Sequence, residues 1–235
     1  MNDPFGAAIK EYFEQGKAPD IAVNSNYTED ESIPVAYFFR NENEMPELEK
    51  KALQLCRGSI LDVGAAAGCH ALMLQNNQKD VTALEQSELA VEVMQARGIQ
   101  KTITADIYRY EGAKFDTILL LMNGAGIGGT VNGLKRLLFH LKTLLNEGGQ
   151  ILIDSSDIKY LFEEEDGSMW IDLSNDGYYG EMEYEVSFRD HHSEFDWLFI
   201  DFKLLQKTAM QTGYSCEQMF TGEHFDYLAK LEIYK

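Results

Sequence analysis

No stretch of the 235-residue chain is apolar over anything near the roughly 18 to 20 residues that a membrane-crossing helix needs. The N-terminal run MNDPFGAAIKEYFEQGKAPD also lacks the basic segment followed by an apolar segment that marks a secretory leader, so a cytoplasmic location is expected. Cysteine is scarce: Cys56, Cys69 and Cys216 are widely spaced and odd in number, which fits neither a disulfide framework nor a zinc ribbon. Basic residues are outnumbered, 20 Lys and Arg against 39 Asp and Glu, for a formal net charge of −19. A surface that negative repels phosphate backbones and anionic headgroups, so neither nucleic acid nor a membrane is an expected partner. Histidine is scarce too, and its five copies bound the pool of imidazole general bases.

What is present is ordinary for a globular α/β protein, 45% apolar and 25% charged, and long enough for one core domain with appendages. Phe5, Ile9, Tyr12 and Phe13 are spaced as an amphipathic helix that stops at Gly16, and residues 18–46 read as a polar, irregular segment around an apolar cluster at 35–39. Pro46 then opens a helix that Gly58 closes. From here the chain alternates: strand 60–63, helix 68–75, strand 81–84, helix 88–95, strands 102–104 and 115–121, helix 131–145, strand 150–154. Strands alternating with helices predict a Rossmann-like, doubly wound, mostly parallel sheet. Pieces at 169–173 and 181–188 predict an inserted β-hairpin within about 155–197, followed by a helix over 199–212 and a closing antiparallel pair at 215–220 and 225–234. Residues 1–50 are thus read as an extension or lid, and 51–235 as the core domain carrying the insert.

The stretch ILDVGAAAGCHAL places Gly64 and Gly68 around three alanines directly after a strand. Against the dinucleotide fingerprint G-x-G-x-x-G it fails twice, at Ala66 and at Cys69. Against D-x-G-x-G-x-G it fits at Asp62, Gly64 and Gly68, with Ala66 the one departure. The chain resembles the class I S-adenosylmethionine-dependent methyltransferases on these residues and on those that follow, and bacterial members of the small-molecule type in particular. The resemblance implies S-adenosylmethionine as cofactor, with Asp62, Gly64, Ala65, Ala66 and Gly68 forming its turn. It implies that Glu85, 21 positions after Gly64 with Gln86 beside it, accepts the ribose hydroxyls. A carboxylate suits that role because it only accepts. By the same resemblance Asp106 holds the adenine amino group, Ile107 packs on the ring, and Asn123 faces the sulfonium and the acceptor. Each has a local alternative: Asp62 in a salt bridge, Glu85 a solvated strand end, Asp106 a helix cap.

The activity implied is in-line methyl transfer to a small molecule. The alternatives are a non-catalytic module that binds the same cofactor, or an aminopropyl transferase. Positioning provides most of the acceleration in such a displacement, so a general base is optional. If one is used, the pool is His70, His140, His191, His192, His224, Tyr37 and Asp157, with His70 and His140 read as structural. The run Asn123-Gly-Ala-Gly-Ile-Gly-Gly offers either a backbone cradle for an anion or a tight turn. Tyr37, Phe38 and Arg40 in the extension and Trp197 in the insert are candidates for the acceptor pocket, aromatics as walls and Arg40 orienting a carboxylate or phosphate. No metal is expected, because Asn123, Asp154 and Asp157 have no distinctive ligand spacing.

Overall fold

The computed structural model describes residues 2–162 and 177–234. Helix α1 (Pro4–Gln15) begins where Asp3 accepts a hydrogen bond from Gly6 N (2.8 Å) and ends at Gly16, whose φ of 71° only glycine adopts cheaply. Two strands follow, β1 (Ile21–Ser25) and β2 (Glu31–Ile33), where the sequence suggested irregular chain. A turn of 3-10 helix spans Val35–Phe39, and α2 (Glu47–Leu55) leads into β3 (Ser59–Val63). The expected alternation then holds: α3 (Cys69–Asn76), β4 (Asp80–Glu85), α4 (Glu88–Ala96), β5 (Thr102–Thr104), β6 (Phe115–Leu120), α5 (Val131–Thr143) and β7 (Leu145–Ser156). Ile60 to Val63 in β3 are all buried, as a parallel strand covered on both faces requires.

After β7 come β8 (Glu181–Phe188), β9 (His191–Leu198), α6 (Phe202–Gln211), β10 (Tyr214–Thr221) and β11 (Asp226–Ile233). The main sheet runs β10-β11-β7-β6-β3-β4-β5, with all strands in one direction except β11, which is antiparallel to both of its neighbours. The strand order reverses between β3 and β6, so the carboxyl ends of those strands open the crevice where ligands of such sheets bind. Among the described residues no helix is long and apolar enough to cross a membrane.

A second sheet, β2-β1-β8-β9, corrects the reading of both appendages. The partner of β8 is β9 across Arg189 and Asp190, and the piece 169–173 lies outside the described residues. Along β9 the outward residues His192, Glu194 and Asp196 are charged or polar, while Phe195 and Trp197 alternate inward. Val23 of β1 pairs with Val186, so chain ends far apart in sequence complete one sheet. Its inner side shares a core with α1 and the carboxyl edge of the main sheet: Ile9, Val23, Phe38 and Phe188 pack with Ala66, Ala67, Ala90 and Val93. The N-terminal extension is therefore built into the fold over that edge.

Candidate active site

The turn after β3 is held open by its own backbone. Gly64 N and Ala65 N both donate to the Leu84 carbonyl (2.9 and 3.2 Å), and Gly68 N donates to Ala65 O (2.7 Å). Gly68 is required by packing, since a Cβ there would meet Ile99 Cδ1 at 2.2 Å. Gly64 is different. It is exposed, with a φ of 70°, and the only atom near an added Cβ would be Ile127 Cδ1 at 3.5 Å, so the backbone at this point borders open space.

Glu85 closes β4 beside that space. Its Oε2 accepts from Ala66 N (2.9 Å) and its Oε1 from Ser87 N (3.0 Å), tying the turn to the start of α4. A carboxylate offers about four acceptor sites, so it keeps acceptor capacity for a ligand hydroxyl. Burial raises the Glu85 pKa, with the N–H groups of Ser87, Ala66 and Gln86 acting against it. The Gln86 side chain is exposed at the strand end. On the next strand, Asp106 caps the turn Ile107–Arg109 by accepting from Tyr108 N (2.9 Å), and Ile107 is buried. The local cap alternative for Asp106 is thus realised, with Oδ2 3.7 Å from Arg109 Nε. Tyr108 reaches across to the carbonyls of Ile127 and Gly133 (3.3 Å each), which fixes the β5 end to the loop after β6. Gly64, Glu85 and Asp106 so stand at the carboxyl ends of three adjacent strands. An open backbone approach, a carboxylate with spare acceptor capacity and a buried apolar residue fit an adenosine group.

The loop after β6 is a tight, closely packed turn, one of the two readings its glycines offered. Asn123 is left-handed (φ 60°), its Nδ2 donates to Leu198 O (3.1 Å) and its Oδ1 accepts from Ser155 Oγ (2.9 Å), so its amide is turned into the protein. Asp154 holds the same loop by accepting from Asn123 N (3.1 Å) and Gly124 N (2.7 Å). The loop glycines serve close packing: a Cβ on Gly126 would lie 2.0 Å from Trp197 Cε2. Trp197 therefore seats the second sheet on this loop. Phe38 is buried edge-to-face on Phe5 (6.1 Å), pinning the extension, while Tyr37 is 39% exposed.

Arg40 is not a free surface cation. Its Nε donates to Tyr37 O (2.8 Å), its Nη2 to both oxygens of Glu49 (3.0 Å each), and its guanidinium lies 3.4 Å from the Tyr37 ring centroid. His70 Nε2 meets Glu49 Oε2 at 2.7 Å. Burial works to raise the Glu49 pKa, yet His70 and Arg40 outweigh it and hold the carboxyl below the usual range. For His70 burial works downward, and Cys69, Glu49 and Asp62 lift it well above the ordinary value. Asp62 is buried, and burial pushes it up to about 6. Glu49 escaped the sequence reading because nothing in ELEK separates it from its solvated neighbours; only its contact with Arg40 and His70 marks it. Among the described residues no group of three His, Cys, Asp or Glu is arranged to hold a metal, and Asp157 accepts from Tyr179 Oη (2.6 Å).

No family model matches the sequence, and no curated protein does. Solved structures do. An S-adenosylmethionine-dependent methyltransferase from Bacteroides fragilis, in complex with S-adenosyl-L-homocysteine, is 42% identical over 100% of this chain and 96% of its own, with a TM-score of 0.93. The sugar N-methyltransferase KedS8 from Streptoalloteichus (16% identity, 90% and 97% of the two chains, TM-score 0.59) and the CcbJ methyltransferase from Streptomyces caelestis (12%, 82% and 98%, 0.62) share the fold. At that identity over the whole length, the chain belongs to the S-adenosylmethionine-dependent methyltransferases.

Proposed function

We propose that this methyltransferase acts on a small molecule held between the carboxyl edge of the main sheet and the inner face of the second sheet. S-adenosylmethionine supplies a methyl group already activated by its sulfonium. The residues of this chain bind, orient and exclude water. Glu85 is assigned to the ribose hydroxyls, Gly64 with Ala65 and Ala66 to close backbone approach, and Asp106 with Ile107 to the adenine. Trp197 and Tyr37 are assigned to the walls of the acceptor space, with Tyr184 and Phe195, which stack edge-to-face at 5.9 Å on the inner face of the second sheet. Aromatic walls on a rigid sheet suit a compact ligand, and water exclusion sharpens the in-line geometry that the displacement needs. The observation that carries the reading is Glu85: a strand-end carboxylate, fixed by the N–H groups of Ala66 and Ser87 and with acceptor capacity to spare, beside the open backbone of Gly64.

The direct test is mass spectrometry of the protein purified under non-denaturing conditions. Retained S-adenosylmethionine or S-adenosylhomocysteine is expected, displaced on adding isotopically labelled cofactor. A protein that neither retains nor takes up either compound would refute the assignment.

A further inference from the structure

Helices α5 and α6 hold Lys135, Arg136, Lys142, Lys203 and Lys207, and none of the chain's 39 Asp and Glu. Tyr214 ties the two helices together: its hydroxyl donates to Leu138 O in α5 (2.9 Å), and Lys142 Nζ lies 5.6 Å from its ring centroid. None of these cations pairs with a carboxylate of a described residue, in a chain where acids outnumber bases about two to one. Among them stand Phe139 and Met210, 55% and 56% exposed. Helical spacing puts Lys135 and Arg136 beside Phe139, and Lys203 and Lys207 beside Met210. Apolar centres rimmed by unpaired charge have the anatomy of a protein interface.

The outer face of the second sheet is the reverse. Its four strands carry no Lys or Arg. Glu183 lies directly across from Asp196, and Glu185 from Glu194, all four exposed and without an ion pair to a described residue. Like charges directly opposite each other destabilise a sheet, so the isolated monomer gains nothing from this pattern. The acidic face borders the basic helices: Val131 N at the start of α5 donates to Glu181 Oε1 (2.8 Å), and a Cβ on Gly129 would lie 3.0 Å from Asp196 Cβ. One continuous surface thus runs from a positive half to a negative half. Turned by a two-fold axis onto a second copy, such a surface meets its complement twice, positive on negative on either side of the axis.

We propose that a second copy of this chain docks here, forming a two-fold dimer in which α5 and α6 of each protomer pack on the outer face of the other's second sheet. Contact of α5 and α6 with their own copies is disfavoured, because it sets cation against cation. Nucleic acid and anionic lipid suit the basic helices less well than a second copy does, since the adjoining acidic face repels both. The dimer backs the sheet whose inner side carries Tyr184 and Phe195, and so braces the proposed acceptor space from behind. The proposal stands apart from the cofactor assignment.

Sedimentation velocity on the purified full chain tests it. A dimer that forms with rising concentration is expected at low salt. Its Kd should rise about 10-fold or more at about 1 M salt, where the screening length falls to about 3 Å. Lys203→Glu with Lys207→Glu, and separately Glu185→Lys with Glu194→Lys, should each weaken the dimer by about 100-fold or more, because like charges then face each other. Mixed in equal amounts, the two double variants should dimerise again, since the reversed helices of one meet the reversed strands of the other. Cooperative thermal melts check that each variant is folded; if one is not, the salt dependence of the wild-type dimer and its weakening by Phe139→Ser decide. A wild-type protein that stays monomeric at submillimolar concentration, a dimer indifferent to salt, or a mixture of folded variants that stays monomeric overturns the proposal. Growth into open chains overturns the two-fold closure, and a monomer that binds phosphatidylserine vesicles through Lys203 and Lys207 overturns the choice of partner.

Discussion

Replacing Glu85 by Ala separates two roles that one carboxylate combines. In the folded protein its oxygens take the N–H groups of Ala66 and Ser87 at 2.9 and 3.0 Å. Without them two backbone donors lose their partners, but the position is half-buried and water can reach it. The loss is therefore set at the low end, about 1 kcal/mol per donor, or about 1–2 kcal/mol in total. For a chain of this size that lowers Tm by about 2–8 °C. The ligand term comes on top: losing a charged acceptor for the ribose hydroxyls costs about 1.5–3 kcal/mol, or about 10- to 150-fold in Kd for S-adenosylhomocysteine. Thermal melts with and without ligand read both terms, since the stabilisation by saturating ligand should shrink while the apo protein still melts cooperatively. A variant with wild-type affinity for S-adenosylhomocysteine would refute the reasoning, because it would leave Glu85 with only its backbone contacts.

Gly126→Ala should destabilise the protein by about 1–3 kcal/mol, because the new Cβ would sit 2.0 Å from Trp197 Cε2, well inside the carbon–carbon optimum of about 3.5–4.0 Å. In a Trp197→Leu background most of that penalty should vanish; thermal melts across the double-mutant cycle check it, and additive effects would disprove the contact. Asp62 gives a pH signature. Its folded pKa of about 6 exceeds the ordinary 3.8, so its contribution to stability is full below the ordinary value and is lost as pH rises through about 6. Asp62→Asn cannot ionise and should therefore gain stability relative to wild type between about pH 5 and about pH 8. Denaturant titrations at the two pH values test this, and an unchanged difference would rule it out.

The parallel core was legible because its strands are short, apolar and bounded by helices with clear periodicity. Strands β3, β4 and β6 fall within a residue or two of the expected segments, and Glu85 falls at its strand end. The second sheet was not legible. Strands β1 and β2 are five and three residues long, too short for a period to emerge, and their pairing partner lies near the other end of the chain. The sequence at β9 hides an alternating strand under outward charge. Asn123 shows a related limit: its position at the end of β6 is readable, but the partners of its amide, Leu198 and Ser155, are distant in sequence. Arg40 shows the same limit, since a buried pair with Glu49 leaves no local trace in either segment.

Titration calorimetry of the purified protein with S-adenosylmethionine, S-adenosylhomocysteine and NAD tests the central assignment most directly. Saturable, one-to-one binding of both sulfur compounds is expected, weakened in Glu85→Ala, with no heat from NAD. Tight binding of NAD with no response to either sulfur compound would contradict it.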